Sequence, residues 1–303
     1  MKKMNRARFV AALAALFALV LATPANAACR IGKAGETQQV VVGDTGRTLL
    51  LHMPAGAANE PLPLVLLFHG SGGSARGILK TSNLEPTADR HGFILAAADA
   101  GIRADEGFAW NIPGVPTVTG HVPTERDPDD VAFVKAAIDW LVAQGCADPT
   151  RVYATGHSGG GRMASWLGCV AADRFAAIAP NVGLRAGNPL AADPRQPDPA
   201  TCRPSRPVPM LAFAGDKDTT NPIEGGGSPY WQYPMSAALA RWAVLDGCRA
   251  GPRTVIVSPG RSDQRYTRCR GGAEVIGDVL SGAGHVWTAD NDALWTFFAR
   301  HRR

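Results

Sequence analysis

The sequence predicts an α/β architecture: a mostly parallel central sheet with helices on both faces and an antiparallel hairpin at its N-terminal end. Three observations carry that expectation. Continuous apolar runs of strand length recur along the chain, stretches with apolar residues at helical spacing alternate with them, and a glycine-flanked serine, Gly156-His157-Ser158-Gly159-Gly160, stands between one such run and one such helix.

In chain order, residues 1–27 read as a secretory signal. Lys2, Lys3, Arg6 and Arg8 form a basic start, Phe9 to Leu21 an apolar run, and Ala25-Asn26-Ala27 a small-x-small cleavage site. Cleavage near Ala27 leaves residues 28–303 as one catalytic-sized domain without repeats or a linker. The apolar run is too short to span a bilayer comfortably, so the product is expected to be exported without a membrane anchor. Cys29 raises a lipoprotein alternative, against which Asn26 stands where an aliphatic residue is wanted.

Val40-Val41-Val42 and Thr48-Leu49-Leu50-Leu51 flank Gly43-Asp44-Thr45-Gly46, a hairpin joined by a tight turn. The runs at 64–68, 93–97, 152–154, 177–179 and 210–213 lack a polar face, as parallel strands covered on both sides require. Between them, Val131, Val134, Ile138, Leu141 and Val142 mark a helix starting at Asp127-Pro128, with Asp127 as its cap. A last helix spans Asp292 to His301. An antiparallel entry followed by this alternation is the α/β-hydrolase order. Two aperiodic stretches, 101–126 and 184–207, follow strand ends and are expected to shape a substrate cleft.

The formal charge of +5 is misleading, because four positive charges lie in the signal; 27 basic side chains then face 26 acidic ones. That balance gives no argument for nucleic acid as a partner, and no Lys/Arg run marks a polyanion-binding face. Six cysteines remain after cleavage, and an even number in an exported chain favours disulfides over metal. Sequence leaves their connectivity open; Cys248 with Cys269 would close a local loop, Cys169 with Cys202 would tether the proline-rich stretch, and Cys29 with Cys146 would remain. No metal site is predicted, since the histidines lack H-E-x-x-H or comparable spacing.

The chemistry centres on Ser158. The glycines around it permit a strand-to-helix reversal that exposes the hydroxyl, a nucleophile elbow. A serine needs a general base, and the base a carboxylate, in the chain order serine, acid, histidine. Of the seven histidines, only His285 and His301 follow the elbow; His301 sits in a basic, solvated tail, which leaves His285 on its small-residue loop as the base. Asp218 is the favoured acid in the turn after Phe213, with Asp216 its rival. Oxyanion donors are expected from the backbone amides of Gly159 and Ser71, the latter in His69-Gly70-Ser71-Gly72-Gly73. His69 reads as a brace for that loop, and His157 as pointing away from the site. No cofactor is required.

These motifs, together with Gly160-Gly161-Arg162-Met163, Trp110-Asn111, Asp129-Asp130-Val131, Ile223-Glu224-Gly225-Gly226 and Gly284-His285-Val286-Trp287, resemble the secreted polyhydroxybutyrate depolymerase and feruloyl esterase family. The resemblance covers nearly all of residues 28–303. It implies an extracellular serine carboxylic-ester hydrolase acting on hydroxycinnamate–carbohydrate esters or short polyesters, with the triad above. The family often has histidine at the position of Ala214 and a small uncharged residue at that of Asp216. Trp110 and Trp287 are expected to form an aromatic wall for the acyl group. Alternatives are an acetyl xylan esterase, another polyesterase, a peptidase, or a silent relative that binds a ligand without turning it over.

Overall fold

Strands without a polar face must be covered on both sides, and the fold supplies that cover. The computed structural model describes residues 29–56, 60–104, 106–227 and 230–303, so the signal-like segment 1–27 lies outside the described residues. The first half contains β1 (Thr37–Val41), β2 (Thr48–His52), β3 (Leu62–Phe68), α1 (Ala75–Ser82), α2 (Glu85–His91), β4 (Ile94–Ala98), β5 (Ile102–Ala104), β6 (Gly107–Ala109) and α3 (Asp130–Ala143). Then come β7 (Ala147–His157), α4 (Gly159–Val170), β8 (Ala177–Asn181), β9 (Pro189–Leu190), β10 (Asp193–Pro197) and β11 (Met210–Gly215). The chain closes with α5 (Met235–Leu245), β12 (Ala250–Ser258), β13 (Arg261–Thr267), β14 (Val275–Leu280) and α6 (Asn291–Ala299).

Ten strands form one sheet in the order β1-β2-β4-β3-β7-β8-β11-β14-β13-β12. The six from β4 to β14 run parallel, and the pairs at both ends are antiparallel, the α/β-hydrolase arrangement expected above. Alternate residues of β3 feed opposite faces. Leu64, Leu66 and Phe68 pack with α3, α4 and α5, whereas Val65 and Leu67 pack with α1 and α6. Because β3, β7, β8, β11 and β14 are parallel, the loops after them meet at one edge of the sheet.

Several local expectations change. Helix α3 begins later, with Asp129 as its cap accepting from Ala132 N at 2.9 Å; Asp127 instead accepts from Thr124 N at 2.7 Å and pairs with His121. Residues 250–267, to which the apolar pattern assigns no strand, form β12 and β13. Their side chains are mostly exposed or half-buried, so backbone pairing onto β14 rather than a core face holds them. His301 is not solvated but covered, its ring edge-on to Phe297 and its Nε2 3.3 Å from Glu274 Oε1.

Disulfides join Cys29 to Cys146, Cys169 to Cys202 and Cys248 to Cys269, leaving no described cysteine free. Three such bonds fit an oxidising compartment. Among the described residues no helix is long and apolar enough to cross a membrane.

Candidate active site

Strand β7 hands directly to helix α4 at Ser158, whose backbone takes φ 54° and ψ −112°. A non-glycine residue there costs on the order of 1–3 kcal/mol and persists only when its surroundings impose it. They do so here: Ser158 N donates to Asn181 O at 2.9 Å, and Arg162 N donates to Ser158 O at 2.9 Å. The flanking glycines permit the approach. A Cβ on Gly156 would meet the carbonyl oxygen of Phe68 at 2.6 Å, and one on Gly160 would collide with that same carbonyl.

His285 lies on the loop after β14, with Nε2 2.8 Å from Ser158 Oγ. Its Nδ1 donates to Asp218 Oδ2 at 2.7 Å, which leaves Nε2 free to accept the serine proton. Asp218 follows β11, the neighbour of β14, so the shared sheet edge brings acid and imidazole together. Its other oxygen accepts from Thr220 N and Asn221 N, each at 2.8 Å. Burial works to raise the Asp218 pKa, but the bonds from His285, Asn221 and Thr220 outweigh it and hold the carboxyl below its ordinary range. Asp216 sits apart from the imidazole. It accepts from Gly282 N at 2.6 Å and Ser281 Oγ at 3.0 Å, tying the histidine loop to the acid turn, and the Gly282 N–H lowers its pKa.

The loop after β3 brings Ser71 against Gly159. A Cβ on Gly159 would stand 2.8 Å from Ser71 N and 2.5 Å from Ser71 Oγ, so only glycine lets the two backbones approach this closely. The Gly159 amide opens α4 and has no intrahelical acceptor. Hairpin β5–β6 pins this loop, with Gly72 N donating to Phe108 O at 2.9 Å and Phe108 N to Gly73 O at 3.0 Å. His69 braces it from below: Nδ1 donates to Gly70 O at 2.7 Å, while Nε2 accepts from Ala100 N at 3.0 Å. Burial lowers its pKa, which keeps that neutral tautomer.

The proposed aromatic wall does not form. Trp110 is buried on one face of the sheet, where its Nε1 donates to His69 O at 2.8 Å and its ring lies tilted against that of His69, 4.8 Å between centroids. Trp287 packs against the core on the opposite face and donates to Asn291 Oδ1 at 2.9 Å. Both indoles are committed to holding loops. His157 also departs from expectation, since its ring lies 5.1 Å from that of His285 rather than away from the site. Burial lowers its pKa, with the nearby His285 adding to that effect, and so it stands as a neutral neighbour.

Sequence reasoning passed over Asn181. Its backbone oxygen holds Ser158, while its carboxamide oxygen is best placed on the N–H groups of Thr288 and Ala289 and its nitrogen on Val286 O and His157 Nδ1. One residue thus anchors both the serine turn and the histidine loop. Beside it Val182 takes φ 43°, an outlier for a β-branched residue, held by its own N–H on Phe213 O and by Asn221 Nδ2 on its carbonyl. Asn181 ends a strand at the carboxyl edge of the sheet, the one signal that could have drawn attention to it.

Serine, imidazole and carboxylate in this chain of hydrogen bonds suit acyl transfer. The profile of a family described as Esterase PHB depolymerase matches residues 48–198. A putative esterase, NocK, from Nocardia uniformis subsp. tsuyamanensis is 32% identical over 271 residues, covering 82% of this chain and 73% of that protein. The chain belongs to the PHB depolymerase esterase family. Feruloyl esterase B of Piromyces equi is another relative, 31% identical over 258 residues that cover 83% of this chain but 44% of the relative, so the chain spans less than half of its length. An acetyl xylan esterase from Aspergillus awamori shares the fold, with a TM-score of 0.63 and 18% identity over 87% of this chain and 99% of that one.

Proposed function

We propose that this family member is a serine carboxylic-ester hydrolase, with Ser158 as nucleophile, His285 as general base and acid, Asp218 orienting the imidazole, and the amides of Ser71 and Gly159 as oxyanion donors. The observation that carries the reading is the pair of contacts at 2.8 Å and 2.7 Å through the two nitrogens of His285. Ser158 Oγ attacks the ester carbonyl as Nε2 takes its proton, and the carbonyl oxygen gathers negative charge against the two amides. The imidazolium, stabilised by Asp218, then protonates the departing alcohol. Water activated by His285 attacks the acyl-serine and releases the acid.

The substrates named for the relatives, feruloyl, acetylxylan and poly(3-hydroxybutyrate) esters, set the candidates here: hydroxycinnamate–carbohydrate esters or short polyesters. We place the mature chain outside the cytoplasm, a reading supported by the signal-like N-terminus and the three disulfides. The test is a panel of hydroxycinnamate methyl esters, nitrophenyl esters of short and long acids, and polyhydroxybutyrate film, each with the parent and Ser158→Ala. Hydrolysis of at least one class by the parent, and none above background by Ser158→Ala, is expected. A folded parent that hydrolyses nothing and binds an ester unchanged would establish the silent-binder alternative.

A further inference from the structure

The loop after β3 that carries Ser71 also walls a cavity of about 250 Å³ that opens to solvent. Gly70, Ser71 and Ser74 form one side of it, Ile78 and Thr81 of α1 a second, and His157 a third. Only a bare glycine separates this space from the nucleophile, since a Cβ on Gly70 would lie 3.5 Å from Ser158 Cβ and 3.4 Å from His157 Cδ2. Helix α1 is itself tied to the histidine loop, because Trp287 Nε1 donates to Asn291 Oδ1 and Asn291 Nδ2 donates to Ser82 O.

The hydrogen bonds around His157 fix its tautomer. The Asn181 carboxamide oxygen accepts from Thr288 N at 3.0 Å and Ala289 N at 2.9 Å, so its nitrogen faces Val286 O and, at 3.3 Å, His157 Nδ1. His157 Nδ1 is therefore an acceptor, and in a neutral imidazole the proton then sits on Nε2. Burial and the neighbouring His285 keep the ring neutral by lowering its pKa. Nε2 has no hydrogen-bond partner among the described residues, yet it is not sealed from solvent. A donor in that state, on the wall of a polar cavity, lacks only an acceptor brought by a ligand.

His285 hands its proton to the departing alcohol oxygen, so the alcohol lies on the imidazole side of the scissile bond. The ring of His157 is 5.1 Å from that of His285, which places the cavity on the alcohol's side. The hydroxyls of Ser71, Ser74 and Thr81 join the imidazole N–H around it. Such a lining suits a polyhydroxylated alcohol, whereas a hydrocarbon one would leave those groups unpaired. The volume admits one sugar-sized ring rather than a chain of them.

We propose that this cavity is the alcohol subsite, where His157 Nε2–H donates to an oxygen of the alcohol part, so that the favoured ester is one carried by a sugar or a similar polyol. The inference deepens the esterase reading and rests on it for the substrate.

The experiment uses acetate and ferulate esters of one primary alcohol at a time. Esters at the primary hydroxyl of methyl arabinofuranoside and methyl glucopyranoside are compared with the cyclohexylmethyl esters of the same acids, which match the ring but lack its hydroxyls. The parent is expected to favour at least one sugar ester by about tenfold or more in kcat/KM. In His157→Phe the sugar-to-cyclohexylmethyl ratio should fall to about one, whatever the absolute rates, while His157→Gln, which keeps an N–H donor, should retain part of it. Thr81→Phe fills the same cavity from an exposed position on α1 without touching Asn181, and should abolish the ratio even where His157→Phe fails to fold. Separately, calorimetry on Ser158→Ala should show the sugar ester bound more tightly than the cyclohexylmethyl ester, a difference lost when Thr81→Phe is added. That binding difference in a parent that hydrolyses none of the esters would uphold the subsite and remove the esterase reading. Hydrolysis without a sugar preference, equal binding of the two esters, or a preference that survives Thr81→Phe or a folded His157→Phe, would overturn the subsite.

Discussion

Replacing Gly159 by alanine isolates the oxyanion geometry, because a single methyl group opposes two backbones that must stay close. The new Cβ would lie 2.8 Å from Ser71 N, 2.5 Å from Ser71 Oγ and 3.3 Å from Ser71 Cα. Ordinary contact begins near 3.5 Å, so the Ser71 loop must retreat by about 0.7 Å. The loop cannot yield freely, since Gly72 N and Gly73 O are bonded to Phe108 and Arg162 holds Ser71 Oγ. A donor displaced by that much is lost to the oxyanion, which costs about 3 kcal/mol of barrier, or on the order of 100-fold in kcat. KM should stay within about threefold, because the interaction develops in the transition state. Helix propensity works the other way, favouring alanine over glycine by up to about 1 kcal/mol, so an account based on stability alone predicts a tolerated change. Steady-state hydrolysis of 4-nitrophenyl acetate, with a thermal melt on the same samples, separates the two. A folded Gly159→Ala protein with kcat within threefold of the parent would refute the assignment of these amides.

The two aspartates after β11 should part sharply: Asp218→Asn lowers kcat by about 10⁴-fold through the wrong imidazole tautomer, whereas Asp216→Asn changes it only a few-fold. Equal losses in the two kinetic series would contradict this division. Burial raises the Asp246 carboxyl to about 7, so the folded chain keeps a proton that the unfolded chain releases from about pH 4 upward, and stability from this group falls as pH rises towards 7. The Tm of Asp246→Asn relative to the parent should therefore climb between pH 5 and pH 8; a constant offset would count against it. Loop closure ranks the disulfides, so replacing Cys29 and Cys146 with alanine, 117 residues apart, should cost about 5 kcal/mol and replacing Cys248 and Cys269, 21 apart, about 3, read from urea midpoints.

The parallel strands and the elbow were legible because each obeys a local rule: a strand covered on both faces is apolar throughout, and a tight reversal needs glycine. Asp218 and His285 were legible from chain order, because β11 and β14 are adjacent and their loops share an edge. Residues whose role depends on distant partners were not. Nothing local distinguishes Trp110 as a brace from Trp110 as a wall, since its commitment to His69 O spans 41 residues. Likewise Arg162 and Arg185 look like surface cations until the fold buries them together, and Asn181 looks like a strand end until two loops close on it. Strands β12 and β13 were missed because pairing onto β14, rather than a core face, holds them.

Intact-mass analysis of the chain treated with a fluorophosphonate, followed by peptide mapping, tests the serine–imidazole pair most directly, since the probe reports an activated hydroxyl whatever the natural ester. One adduct per chain on Ser158, formed at least 100-fold more slowly in His285→Ala, is the predicted result. A folded protein that stays unlabelled, labels on another residue, or reacts at an equal rate without the imidazole would contradict it.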